Sequence, residues 1–234
     1  MKRSDFTKEK TLIYDLLQAK CDYLKSFGFK NANLYKTNWE LLLDRYENVE
    51  YESPSVYRVF RVSNPSFPIH YNINYIQDAI SSNSSSARIE KAHIKNGVLL
   101  LNNKAISFNR YIGDEKFGNI PIGEQIITND TLGRIIIGNV HFNDSEKGLA
   151  VIDGNHRINL AAEQNYSSDF DVYVIEDELM IRSIFTLYEV FAYLICDNVC
   201  YFSFKKEKIT DIDYDNAIKY NKLIINYMEH RKNI

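Results

Sequence analysis

The chain has 234 residues, enough for one large domain or one domain with a helical appendage, and a chain of that length buries most of its apolar surface without a disulfide or metal staple. Its 45% hydrophobic and 25% charged residues are ordinary globular usage, which excludes an intrinsically disordered chain. A net charge of −3 and a pI near 6.0 supply no overall field for a polyanion, which sets aside wholesale nucleic-acid binding and leaves room only for a local basic face.

Three cysteines, Cys21, Cys196 and Cys200, form no paired framework, and the N-terminus lacks the basic patch, apolar stretch and small-residue cleavage site of a secretory signal. A reducing, cytoplasmic setting is the expectation. The most apolar stretch, Leu179 to Phe204, is interrupted by Arg182, Glu189 and Asp197, which points to a buried helix and away from a membrane partner.

From Thr7 to Phe27, Leu12, Ile13, Leu16, Leu17, Cys21, Leu24 and Phe27 recur at helical spacing, and Gly28 stands where a C-cap glycine belongs. A second helix is predicted from Thr37, as N-cap, through Trp39, Leu42, Leu43 and Tyr46. Val56 to Val62 alternates as a strand and stops at Asn64-Pro65; Arg58 and Arg61 fall on its opposite faces. Ile73 to Ile80 reads as a short helix and Ser81 to Ser86 as a surface loop. Ile89 to Ile94 and Val98 to Leu101 flank Asn96-Gly97, a pair that supplies the positive φ angles of a tight hairpin.

Between Ala105 and Phe142, Gln125 to Thr128 and Arg134 to Val140 are candidate strands of undetermined order. Leu149 to Ile152 reads as a strand, Arg157 to Gln164 as a helix and Phe170 to Ile175 as a strand, giving a strand-helix-strand unit. From Glu178 onward Leu179, Ile184, Leu187, Tyr188, Phe191 and Ile195 predict an apolar helix, and Tyr214 to Arg231 a last amphipathic one. The fold class expected is α+β, a mixed β-sheet core with helical layers from both termini. The division is a helical segment over 1–50, an α+β core over 51–176, and a helical segment over 177–234 packed on that core.

One motif carries chemistry. In Leu149-Ala150-Val151-Ile152-Asp153-Gly154-Asn155-His156-Arg157-Ile158-Asn159-Leu160-Ala161-Ala162, a buried strand meets a glycine and enters a helix whose apolar face is Ile158, Ala161 and Ala162. The first N–H groups of such a helix point beyond the strand end, its dipole is positive there, Gly154 admits close approach and Arg157 adds a forked donor, so a phosphate suits the place. Asp153 reads either as a Mg²⁺ ligand or hydroxyl-orienting group, or as a turn residue bonding backbone N–H groups. His156 reads as a donor to phosphate or an acid, against a packed turn residue; Arg157 reads as the phosphate donor, against an arginine paired with an acidic neighbour.

The run Ile152-Asp153-Gly154-Asn155-His156-Arg157, followed by Ala161-Ala162, resembles the signature of the ParB/sulfiredoxin-like superfamily, and also the DGQHR-type proteins associated with DNA phosphorothioation. The resemblance implies a small mixed-sheet core that binds ATP or CTP phosphates at the helix start, with Gly154, Asn155, His156 and Arg157 at the nucleotide-contacting positions. Asp153 and His156 are, from their own chemistry, the candidate catalytic residues, and Asp153 is the candidate ligand for a Mg²⁺ ion accompanying the nucleotide. An enzyme of this type would be a phosphotransferase or NTPase. Where the superfamily has an upstream arginine this chain has Ile69 and His70, and where sulfiredoxins place their reactive cysteine it has Asn155, so sulfinic-acid reductase activity is not expected. After Ile175 there is no helix-turn-helix with a basic recognition face, so DNA binding of the partition type is not supported. A nucleotide-turning enzyme and a non-catalytic regulatory or interaction protein, of a DNA-modification or mobile-element system, both fit the residues.

Cys196 and Cys200, one helical turn apart, read as core residues, there being no second pair or histidine nearby in sequence. Glu176-Asp177-Glu178 suits the start of a helix, and Gly133, Gly138 and Gly148 are too scattered for a dinucleotide fingerprint.

Overall fold

A computed structural model describes residues 6–48, 57–62, 67–82, 85–108, 128, 132, 135–142, 146–205 and 209–230. The chain is α+β, and it divides into two compact units, one of residues 1–76, 140–148 and 181–234, the other of residues 77–139 and 149–180.

The first unit holds α1 (Phe6–Ser26), α2 (Ala32–Arg45) and the antiparallel pair β1 (Tyr57–Val62) and β2 (Phe67–Asn72). The helical periodicity over the first segment is realised, and α1 closes at Gly28, whose N–H donates to Lys25 O at 2.8 Å. The start predicted for the second helix is corrected: α2 begins at Ala32, and Thr37 is exposed in its middle. Ala32 and Tyr35 bury against the core and prolong the apolar face by a turn, which outweighs the capping preference of threonine. Strand β2 has no counterpart among the predicted elements because Pro65 and Pro68 obscure it; it is tolerated in a two-stranded ribbon, where Pro68 stands opposite Arg61.

The single long helix expected after Glu178 is broken into α5 (Asp177–Arg182) and α6 (Leu187–Lys205). At the break Ser183 O accepts the Asn72 N–H at 2.8 Å and Ile184 forms a bridge with Tyr71, so the backbone leaves helix geometry to pair with β2. Thr186 restarts the helix, its Oγ1 accepting the Glu189 N–H at 3.2 Å. Helix α6 is buried almost all round, as a helix without a polar face must be. Tyr35, Trp39, Phe191 and Phe202 interlock around it edge to face. Helix α7 (Asp211–His230) opens on a reciprocal cap between Thr210 and Asp213. Among the described residues no helix is long and apolar enough to cross a membrane.

The second unit contains most of a six-stranded mixed sheet, made of β3 (Ala87–Lys95), β4 (Val98–Leu101), β5 (Lys104–Ala105), β6 (Ile135–His141), β7 (Lys147–Asp153) and β8 (Ser168–Ile175) in the order β5-β4-β3-β8-β6-β7. The β3-β4 hairpin turns at Asn96 and Gly97, with φ of 51° and 70°, as their sequence predicts. Strand β8 runs antiparallel to β3 and parallel to β6, which is apolar on both faces from Ile135 to Ile137, as an inner strand should be. The other predicted strand in that region, Gln125 to Thr128, lies outside the described residues except for Thr128, which is not in a strand. The strand-helix-strand unit exists as β7, α4 (Asn155–Glu163) and β8, but β6 lies between the two strands. Ile158 and Ala161 seat α4 on a core of Ile135, Ile137, Val151, Val172 and Val174. Helix α3 (Ile73–Ser81) precedes β3, and its residues from Gln77 onward belong to this unit.

Candidate phosphate site at the start of α4

Strand β7 ends at Asp153 and α4 begins at Asn155, so one residue, Gly154, makes the turn. Its φ of 101° and ψ of 10° lie in left-handed space. A Cβ at this position would stand 2.7 Å from Ile135 Cγ1 and 3.1 Å from an Arg157 guanidinium nitrogen. Conformation and space therefore both require glycine, and the neighbouring strand sets the second requirement.

The Asp153 carboxylate is held by the turn. Its Oδ1 accepts the Gly154 N–H at 2.8 Å, while Oδ2 accepts Gln77 Nε2 at 3.2 Å and lies 3.6 Å from Arg157 Nη2. The Asp153 and Arg157 side chains are each 31% exposed, so their ion pair is partly screened and adds little stability by itself. A cation in the first turn of a helix opposes the helix dipole, and an anion at that point offsets the cost. Asp153 is the anion the chain supplies.

Asp153, Gly154 and Arg157 thus meet at one point. Asn155 does not join them: it is buried, and its amide donates to Val151 O at 3.1 Å, tying the helix start to the strand. Asn159 extends that tie by donating to Asn155 O at 2.8 Å. His156 is exposed on α4. Gln77, which joins the cluster from α3, carried no sequence signal, being an isolated amide far from the motif.

The two residues at the position of the superfamily's upstream arginine lie in the first unit. His70 Nδ1 is 2.7 Å from Glu189 Oε1, and Glu189 also accepts the His70 backbone N–H at 3.0 Å. Burial pushes the Glu189 carboxyl up, against the bonds from His70 that pull it down. Ile69 is buried, and Arg58 and Arg61 stand three positions apart on β1, opposite Tyr71 and Pro68.

Among the described residues no group of three His, Cys, Asp or Glu side chains is arranged to hold a metal ion. Two surface hollows, of about 390 Å³ in the first unit and about 350 Å³ in the second, are lined by other residues. No family model, curated protein or solved structure matches the chain.

Proposed function

We propose that the second unit binds a phosphorylated ligand of the nucleoside triphosphate class at the turn from Asp153 to Arg157. The observation that carries this reading is the placement of Arg157, whose Nη2 falls 3.1 Å from the point a Gly154 Cβ would occupy. A forked cation there lies beside the Gly154 backbone at the positive end of a helix. Arginine recognises phosphate through that fork, and the dipole and backbone add to it.

The α+β architecture with a mixed sheet, and the IDGNHR run at the strand-to-helix turn, support reading the chain as ParB/sulfiredoxin-like. His156, exposed on α4, is the second group available to a bound phosphate. A Mg²⁺ ion fits as one that arrives on the nucleotide: Asp153 is one carboxylate, and the ligand's phosphates would supply further oxygens. A second reading, binding without turnover, is favoured by Asp153 itself, whose carboxylate is taken up by Gly154, Gln77 and Arg157.

Thermal unfolding of the full chain with ATP, CTP, GTP and inorganic phosphate, with and without Mg²⁺, tests the proposal. A ligand at a hundred times its Kd stabilises the native state by about 2.7 kcal/mol. The expected result is a rise in Tm with at least one nucleotide that Arg157→Ala removes. No rise with any of them at millimolar concentration would overturn the assignment.

A further inference from the structure

Helix α7 packs Tyr214, Ile218, Asn221, Ile225 and Met228 into the first unit. Its opposite side is not the polar surface that a solvated helix carries. Ile212 is 72% exposed and Leu223 67%, with Asn216 exposed between them. At ~100° per residue these three fall within about 40° of one another around the helix and make one line about 16 Å long. Tyr220 and Tyr227, each 43% exposed, widen the apolar side along one border, and Arg182 lies over the Tyr227 ring at 4.8 Å. An apolar line of this length marks a face that another surface covers.

The other border of the line is charged, and the charges are ordered: Asp211, Asp215, Lys219 and Lys222, all exposed. Asp211 also accepts Asn31 Nδ2 at 3.5 Å. The helix dipole accounts for acids in a first turn. It does not account for Lys219 and Lys222, which stand in the middle of the helix, because the effect fades within one turn of either end.

The apolar line and the charged border share one centre. Ile212 and Leu223 are symmetric about the midpoint of Ala217 and Ile218, Asp215 and Lys219 about Ala217, and Asp211 and Lys222 about the midpoint of Asn216 and Ala217. A two-fold axis level with Ala217 therefore sets Ile212 of one helix against Leu223 of another, Asp215 against Lys219 and Asp211 against Lys222, each pair formed twice. Such a pairing is antiparallel and brings like borders together. A parallel pairing would bring up the opposite border, where Asp213 is already bonded to Lys205 and Ala217 and Ile224 carry no charge.

We propose that this face of α7 is where the chain pairs with a second copy of itself, two α7 helices lying antiparallel about an axis level with Ala217. Asn216 meets its own counterpart beside the axis, a polar position of the kind that fixes register between helices at some cost in affinity. The aspartate and lysine pairs lie at the rim and set orientation more than affinity. The helices overlap over about three turns, a small interface, so the dimer is reversible with a Kd on the order of micromolar or weaker.

Sedimentation velocity of the full chain across a concentration series tests the proposal, with Tm recorded for every variant. The expected result is a monomer-dimer equilibrium that Leu223→Asp abolishes while Tm stays in place. Asp215→Lys and Lys219→Asp should each weaken association about tenfold by setting like charges together, and the two combined should restore it. Asn216→Cys should form a disulfide between copies on mild oxidation, whereas Leu41→Cys, at a site 64% exposed on α2, should not. A chain that stays monomeric to millimolar concentration leaves the face to a different partner and overturns the proposal. A dimer untouched by Leu223→Asp, or charge reversals that do not compensate each other, would overturn it equally.

Discussion

Arg157 Nη2 lies 3.6 Å from Asp153 Oδ2, one turn of chain away across Gly154, so the residue best suited to receive a phosphate is held by an acid of its own motif. A bound phosphate must share Arg157 with Asp153 or displace it. Asp153→Asn is therefore expected to leave phosphate affinity unchanged or raise it a few-fold by removing like-charge repulsion, while the amide keeps an acceptor for the Gly154 N–H. Titration calorimetry with the ligand found in the thermal screen checks this. A large loss of affinity would mean that Asp153 binds ligand through a metal ion.

Gly154 should be the least replaceable residue of the turn. Gly154→Ala places a Cβ at a φ of 101° and 2.7 Å from Ile135, so the turn must move or Ile135 must shift. A cost of about 1 to 3 kcal/mol is expected from the backbone alone, and more from the clash. Urea unfolding measures it. Ile135→Ala removes the Cγ1 that the new Cβ meets, so Gly154→Ala combined with it should cost less than the sum of the two single changes, whereas additive costs would show that the backbone conformation alone sets the requirement.

Much of this turn was legible in the sequence because each part is local: an apolar strand, a glycine, and a helix with Ile158 and Ala161 inward. The role of Asn155 was not legible, since its inward amide depends on how closely Val151 O approaches, and neither was Gln77, which arrives from another helix. The break between α5 and α6 follows from pairing with β2, a strand that Pro68 and the preceding Pro65 concealed in the sequence. His141 and Cys200 are 59 residues apart in the chain and meet only through tertiary packing. Spacing within Cys196 to Cys200 carried no trace of it.

His141 makes stability depend on acid. Burial, then the charges of Lys147 and Lys20, hold its folded pKa at about 3, below the value near 6.5 of the unfolded chain, so the unfolded state binds more protons between those values. The contribution is fully present above about pH 6.5 and is lost as pH falls toward 3, at up to about 1.4 kcal/mol per unit. Glu189, whose carboxyl is raised by burial, acts in the opposite sense in acid. Comparing urea midpoints of wild type and His141→Gln at pH 7, 5.5 and 4.5 cancels Glu189. The wild type should lose stability faster, and parallel curves would mean that His141 is protonated in the fold.

Asn198 and Asn221 bind each other through reciprocal amide bonds of 3.3 and 2.6 Å, with Asn221 at 0% exposure. Asn221→Leu leaves the Asn198 amide buried without that partner and is expected to cost about 1 to 3 kcal/mol. Replacing both by leucine should cost less than the sum of the two single changes, because neither amide is then orphaned. Additive costs in a double-mutant cycle would show that the pair contributes packing and not a shared hydrogen bond.

Phosphate capture at the mouth of α4 is tested most directly by calorimetric titration of the nucleotide into wild type, Arg157→Ala and Arg157→Lys, with the Tm of each protein measured alongside. The bidentate contact is worth about 1.5 to 3 kcal/mol, so Arg157→Ala should weaken binding roughly ten- to a hundredfold. Its Tm should stay nearly unchanged, as for a half-exposed site outside the core. Arg157→Lys keeps the charge without the planar fork and should recover only part of the affinity. Equal affinity in all three proteins, or loss of fold in Arg157→Ala with no separate effect on binding, would show that Arg157 serves the turn as the partner of Asp153 and receives no phosphate.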